Sequence, residues 1–250
     1  MDHARVLRCR LNEFQLAYYP PSFRQDAHGH DVPHVSLVVA GSFVETTEAG
    51  SQTVWQGRAG FRADGARHEV DYGPAGALIL SFATDSWMSA GRPRAGVGWV
   101  PAPVGLARSL IETRGGGIGL SAFWRGAAAD KLGPAWVEAA AERLLLVPGT
   151  PIATLAYRCG VHRVHFSRQF ARYCGMTPSE FRRRSMAARA LGSALSGGAS
   201  LAGAAAEAGF ADQSHMARAM RWSFGLGAGK LRHLLTHEAT SVQSDGQFAP

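Results

Sequence analysis

Up to about Asp85 the apolar residues come in short runs broken by Gly, Pro and Asp at turn-like spacing, as in VSLVVAGSFVE and ALILSFA. Runs of that length and punctuation predict β-strands arranged as a barrel or sandwich. From Val104 the pattern lengthens. PVGLARSLIETR and LSAFWRGAAADKL carry apolar residues at helical spacing, separated by the Gly-rich ETRGGGIG, which lacks the Lys-Ser/Thr sequel of a phosphate loop and reads as a linker. Beyond Pro134 nearly everything is helical, beginning with AWVEAAAERLLL, where Trp136, Val137, Ala140, Leu144 and Leu145 line one face. The polar tail after about Leu235 is expected to be disordered.

The C-terminal half repeats itself. Gly160 matches Gly209 at an offset of 49; one residue is then inserted, and Arg168, Phe170, Gly175 and Phe181 match Arg218, Met220, Gly225 and Leu231 at an offset of 50. Each copy has the make-up of a helix-turn-helix. In the first, Thr150 is expected to cap a short helix that starts on Pro151 and buries Ile152, Leu155 and Ala156; Gly160 ends it. The next helix buries Phe166 and Phe170, four apart, and so turns Arg163, Val164, His165, Ser167 and Arg168 outward. In the second copy Ser200 starts the helix, Gly209 turns it, Phe210 pins the turn, and Met216 and Met220 are buried. Gln213, Ser214, His215, Ala217 and Arg218 then lie outward. A helix of this kind suits the major groove, where Arg pairs bidentately with guanine and Gln with adenine.

Charge sharpens that reading. The chain carries a formal +7, but residues 1–133 hold 13 Lys+Arg against 12 Asp+Glu, whereas residues 134–250 hold 13 against 7. A surplus that is nearly all arginine, confined to the repeated half, suits a polyanion such as double-stranded DNA. Arg182, Arg183 and Arg184, between the two units, are expected to meet phosphates. The three cysteines, Cys9, Cys159 and Cys174, form no metal-spaced pair and no disulfide framework, which favours a reducing compartment. The charged start lacks the apolar run of a signal peptide and no window is long and apolar enough to span a bilayer, so a soluble cytoplasmic protein without membrane partners is expected.

LAYRCGVHRVHFSRQF, the linking GMTPSEFRRRSMAARAL, GAAAEAGFADQSHMARAM and FGLGAGKLR together resemble the DNA-binding domain of the AraC/XylS family of bacterial transcription regulators, over about Pro134 to Leu235. The second unit keeps the family's order of Gly209-Phe210, Asp212, Ser214-His215, Arg218 and Gly225. It departs in having Met220 at a usual aromatic and no proline near Ala228, whereas the first unit keeps Pro178. The resemblance implies two helix-turn-helix units joined by one helix, reading successive turns of the major groove from one face of promoter DNA. It also implies RNA polymerase as a partner if the output is activation, and a homodimer. Pairing is expected through residues 101–133, whose Val104, Leu106, Leu110, Ile111, Leu120 and Phe123 exceed what one small barrel needs.

Four of the ten histidines fall between residues 28 and 68. His28-x-His30-x3-His34-x6-Gly41 resembles the first cupin motif with His34 in place of its glutamate, and Gly57-x5-Ala63-x-Gly65-x2-His68 resembles the second with its proline replaced. Two readings of these histidines stay open. His28, His30 and His68 suit one divalent ion, Zn, Fe, Mn or Ni, with His34 as a fourth ligand. Alternatively His28, His30, His34 and His68 line an effector pocket beside Glu45, Trp55 and Phe61, with no cofactor required.

The expected architecture is thus α+β and multidomain. A cupin-like effector-binding barrel occupies 1–100, a helical dimerisation or linker segment 101–133 and an all-α double helix-turn-helix domain 134–235, followed by the tail 236–250. The expected function is sequence-specific transcription regulation in response to a small-molecule or metal effector, without enzymatic activity. The rival is a metal-dependent cupin enzyme with an appended DNA-binding domain, which the missing first-motif glutamate and the absence of a Gly-x-Ser-x-Gly elbow or a phosphate-cradling loop disfavour.

Overall fold

The computed structural model describes residues 6–12, 14–83, 98–103, 105–113, 133–196 and 199–237. In strand β2 (Phe14–Tyr19), Phe14, Leu16 and Tyr18 point one way and Gln15, Ala17 and Tyr19 the other, because successive side chains of a strand alternate. Through the antiparallel registers the same alternation extends across β1 (Leu7–Leu11), β4 (His34–Thr47) and β7 (His68–Ala83). One face therefore carries Cys9, Leu11, Leu78, Leu80 and Phe82 and packs on the helical half. The other carries Arg8, Ser36, Ile79 and Ser81 and surrounds a cavity.

Strands β3 (Arg24–His28), β5 (Gly50–Trp55), β6 (Arg58–Arg62) and β8 (Trp99–Pro101) complete one antiparallel sheet of order β1-β2-β7-β4-β6-β8, with β3 beside β7 and β5 beside β4. The long strands β4 and β7 make the sheet curl. Their register shifts between Val38 and Ala40 and again between Gly41 and Phe43, so their first and second halves serve different neighbours. The bend needs glycine: Gly41 has φ 78°, and a Cβ there would lie 1.9 Å from the carbonyl oxygen of Gly76. Seven of the eight strands consequently contribute side chains to one interior.

The helical half begins with α1 (Leu106–Glu112) and α2 (Ala135–Leu146). The first helix-turn-helix is α3 (Ile152–Arg158) and α4 (Arg163–Cys174), the second α6 (Leu201–Glu207) and α7 (Gln213–Phe224), with Gly160 and Gly209 at φ 66° and 85° in the turns. Between them α5 (Pro178–Leu195) starts on a capping box of Thr177 and Glu180, and α8 (Ala228–His237) follows the second unit without needing a proline. The buried residues match the repeat: Phe166, Phe170, Met216 and Met220 are all at most 1% exposed. Thr150 does not cap as expected. Its hydroxyl donates to the Val147 carbonyl inside the turn, and the helix starts after Pro151.

The two halves share a core. One cluster joins the outer sheet face to α1, α5, α6, α7 and α8, and a second joins Trp55 to α2, α3, α4 and Phe181. Leu110 and Ile111, expected to pair two subunits, are buried in the first of these clusters inside the chain, with Leu106 packed against it. They are not free for an intermolecular contact. Val104, Leu120 and Phe123 lie outside the described residues, as do ETRGGGIG from Arg114 onward, the helix expected after it, and 238–250.

Candidate functional site

Both outward helices present what the repeat predicts. On α4, Arg163, Val164, His165 and Arg168 are exposed and Ser167 is half-buried; on α7, Gln213, Ser214, His215 and Arg218 are exposed and Ala217 is half-buried. His162 is a cap: its Nδ1 accepts from the Val164 amide at 3.3 Å. Asp212 caps α7 in the same way, its carboxylate accepting from the His215 amide at 2.6 Å. The far ends of both helices are docked. Gly175 and Gly225, the left-handed residues that close α4 and α7, sit so close to Pro101 and Glu112 that an added Cβ would lie 2.9 and 2.8 Å from their side chains. Each unit thus turns its C-terminal end to the first half of the chain and its N-terminal end to solvent, the end that reaches base edges in this motif.

The arginine triplet divides. Arg182 and Arg183 are half-buried and border a groove of about 370 Å³ between the units, together with Pro148, Ser179, Phe210 and His215. Arg183 stacks over Trp222 at 4.3 Å. Arg184 is buried at 5% exposed and contradicts the expected phosphate contact, since its position on α5 faces the core side of the helix.

The histidines converge in the cavity of the curled sheet. His28 ends β3, His68 begins β7, and the two are paired in register, while His30 lies in the connection to β4 and His34 begins that strand. His28 Nδ1 bonds the Asp26 carbonyl at 2.8 Å and His68 Nδ1 bonds the Glu45 carboxylate at 2.8 Å. Both partners only accept, so both Nδ1 atoms carry the proton and each ring turns an Nε2 lone pair the other way, that of His68 toward His30. His30 Nε2 faces His68 Nε2 at 3.3 Å. One ligand atom from each of His28, His30 and His68 lies within 4.8 Å of the others. Two nitrogens on a tetrahedral ion at about 2.1 Å are about 3.4 Å apart, so the His30 and His68 pair already has that spacing, and Glu45 behind His68 is the kind of carboxylate that orients a metal-bound imidazole.

Electrostatics favour neutral rings. Burial, reinforced by the neighbouring histidines, lowers His28, brings His30 down to about 4 and His34 to about 3. Burial opposes the Glu45 carboxylate, but the hydrogen bond from His68 and the Arg62 charge outweigh it and hold the group at about 2. Glu45, fully buried, accepts from Arg62, from Trp99 Nε1 at 2.7 Å and from Gln52 at 3.2 Å. It supports the site rather than offering a free oxygen. Trp55 is a correction: it does not line the cavity, but lies edge-on to Phe181 with Arg58 over its ring, because the end of β5 faces the helical half. Phe61 likewise packs against the outer-face core.

Sequence reading missed the residues that join the halves. Gln56, fully buried, donates through Nε2 to the Phe181 carbonyl at 2.8 Å and to Ser185 Oγ at 2.9 Å, both on α5. Arg58 donates to the Trp99 carbonyl at 3.1 Å and to the Tyr173 carbonyl at 3.2 Å. A polar chain therefore runs from His68 through Glu45, Trp99 and Arg58 to the last turn of α4. The only sequence signal was a Gln-Gly-Arg turn between two strands, which solvent would equally favour.

The described residues thus form a curled antiparallel sheet around a cavity, joined to a helical half that holds two helix-turn-helix units. A family described as "Helix-turn-helix domain" matches residues 135–184 and again 161–234. Residues 135–234 are thus a helix-turn-helix region, and the chain is a DNA-binding transcription regulator. No curated protein matches the chain. Similar solved structures include ToxT from Vibrio cholerae, 9% identical over 90% of this chain and 100% of that one, TM-score 0.41. They also include the C-terminal domain of AraT, a response regulator from Geobacillus stearothermophilus, 16% identical over 40% and 85%, TM-score 0.37. A cupin domain from Bordetella pertussis Tohama I is 21% identical over 33% and 84%, TM-score 0.26. At those scores the likenesses say nothing of what this chain binds. Among the described residues no helix is long and apolar enough to cross a membrane.

Proposed function

We propose that this regulator is responsive and non-enzymatic: the barrel cavity receives an effector, a divalent metal or a small molecule, and its occupancy alters how α4 and α7 engage promoter DNA. The observation that carries the reading is the polar chain from His68 to the Tyr173 carbonyl, which passes through Trp99, its indole bonded to Glu45 and its carbonyl to Arg58. His28, His30 and His68 are the residues that would hold a metal, and imidazole donors suit Zn, Fe, Mn or Ni. Bound there, the ion would supply positive charge and fix the three rings. Two copies are expected to act together, and RNA polymerase is the further partner if the output is activation.

The test uses the full chain on DNA it selects from a random library. Zn(II)-loaded protein and chelator-treated protein are expected to differ several-fold in affinity. The variant H28A/H30A/H68A is expected to bind the same DNA with no metal dependence. Equal affinities for loaded and metal-free wild type, with zinc shown to be bound, would remove the metal from the account.

A further inference from the structure

Arg8 lines the cavity beside Tyr72, and among the described residues no carboxylate pairs with it. Strand β1 reads Leu-Arg-Cys-Arg-Leu, and since Cys9 and Leu11 face the helical half, Arg8 and Arg10 take the opposite face. Arg10 is exposed and bonds the Asn12 carbonyl. The Nε of Arg8 is buried without a hydrogen bond. The cavity's other fixed charges cancel, because Arg62 is committed to Glu45. One guanidinium is left over, at a place where an unmatched charge is costly.

The wall beside it is polar in a way that an apolar ligand would not use. Gln15, Ser81 and Ser36 stand directly opposite one another across β2, β7 and β4, one step along the strands from the row of Arg8. The two serine hydroxyls lie 3.0 Å apart, and His34 follows Ser36 on the same face toward the other histidines. The enclosed volume is about 70 Å³. That is room for roughly five waters, hence for an organic molecule of about five to seven heavy atoms.

We propose that the cavity takes a small carboxylate, its charge paired with Arg8 and its remaining oxygens on Gln15, Ser36 and Ser81. A guanidinium fork matches a carboxylate with two parallel hydrogen bonds, and a hydroxyl belt suits a ligand with further oxygens. This rests on the reading of the cavity as the effector site and names the chemical class of the effector.

Pyruvate and malonate, each against its neutral amide at equal ionic strength, are the probes. Calorimetric titration into the full chain is expected to show saturable binding of the acids and none of the amides. R8Q is expected to weaken acid binding by about tenfold or more, and R8K to recover part of it. Amides that bind as well as the acids, acids that bind R8Q as well as wild type, or no saturable binding of either acid would each overturn the proposal. The acid-against-amide comparison on wild type holds even if R8Q folds poorly. If metal changes DNA affinity while no acid binds, the effector reading stands and the carboxylate falls. If acids bind through Arg8 but leave DNA affinity unchanged, the ligand stands and the effector reading falls.

Discussion

Arg58, at the start of β6, donates through Nη2 to the main-chain carbonyl of Tyr173 at 3.2 Å, in the last turn of the first recognition helix. Its other amino group holds the Trp99 carbonyl, and the indole of Trp99 in turn bonds Glu45 beneath the histidines. R58M removes the guanidinium from over Trp55 and leaves both carbonyls without this donor. The full chain is expected to lose about 1–3 kcal/mol of stability in urea, and the metal dependence of DNA binding to shrink. Unchanged stability together with an unchanged metal response would show that the bridge is incidental.

The histidines make the metal-free protein sensitive to acid. Burial lowers His30 to about 4 and His34 to about 3, from an ordinary 6.5. The unfolded chain therefore takes up protons near 6.5 while the folded one refuses them. Their contribution is fully present above 6.5 and is lost as pH falls toward the folded values. Melting temperature is expected to drop between pH 6.5 and about pH 5, above most carboxylate titration, and a His30→Asn, His34→Gln variant to flatten that drop. A wild-type profile that is flat over this window would contradict the burial of neutral rings.

The linking helix separates two kinds of arginine. Arg182 borders the groove between the units, whereas Arg184 is buried. R182E is expected to weaken binding on every DNA sequence and to reduce the slope of log affinity against log salt by about 1, as loss of a phosphate contact does. R184M is expected to change stability and leave that slope alone. A sequence-selective loss in R182E would assign Arg182 to base reading instead.

How much of this was legible beforehand follows from what each feature depends on. The double helix-turn-helix is readable because Gly160, Gly209, Phe166 and Met216 are set by local turns and by burial within one helix. The clustering of His28, His30 and His68 is readable from motif spacing. Arg8, Arg58 and Gln56 are not, because their roles depend on strand register and on how the sheet packs on α5, which no local pattern states. Trp55 was misplaced for the same reason: an aromatic at a strand end can face the interior or a neighbouring domain. Arg184 was misassigned because three consecutive arginines on a helix cannot all share one face.

Asp212 offers a check on the second unit alone. Its carboxylate caps α7 at the end that carries Gln213 and Ser214. D212A is expected to cost about 1 kcal/mol of stability and to weaken specific binding more than non-specific binding, since fraying begins at the base-reading end. Equal weakening of both would show that the first turn of α7 does not read bases.

Arg168 on α4 and Arg218 on α7 are exposed at equivalent positions of the repeat, fifty residues apart. Selecting bound sequences from a random library with the full chain, then with R168A and with R218A, tests the double reading most directly. Wild type is expected to select two short elements about 10 bp apart on one face of the duplex. Each variant is expected to lose preference in a different element, at a cost of roughly 1–3 kcal/mol on the wild-type site. Selection of a single element, or loss in the same element from both variants, would contradict the account.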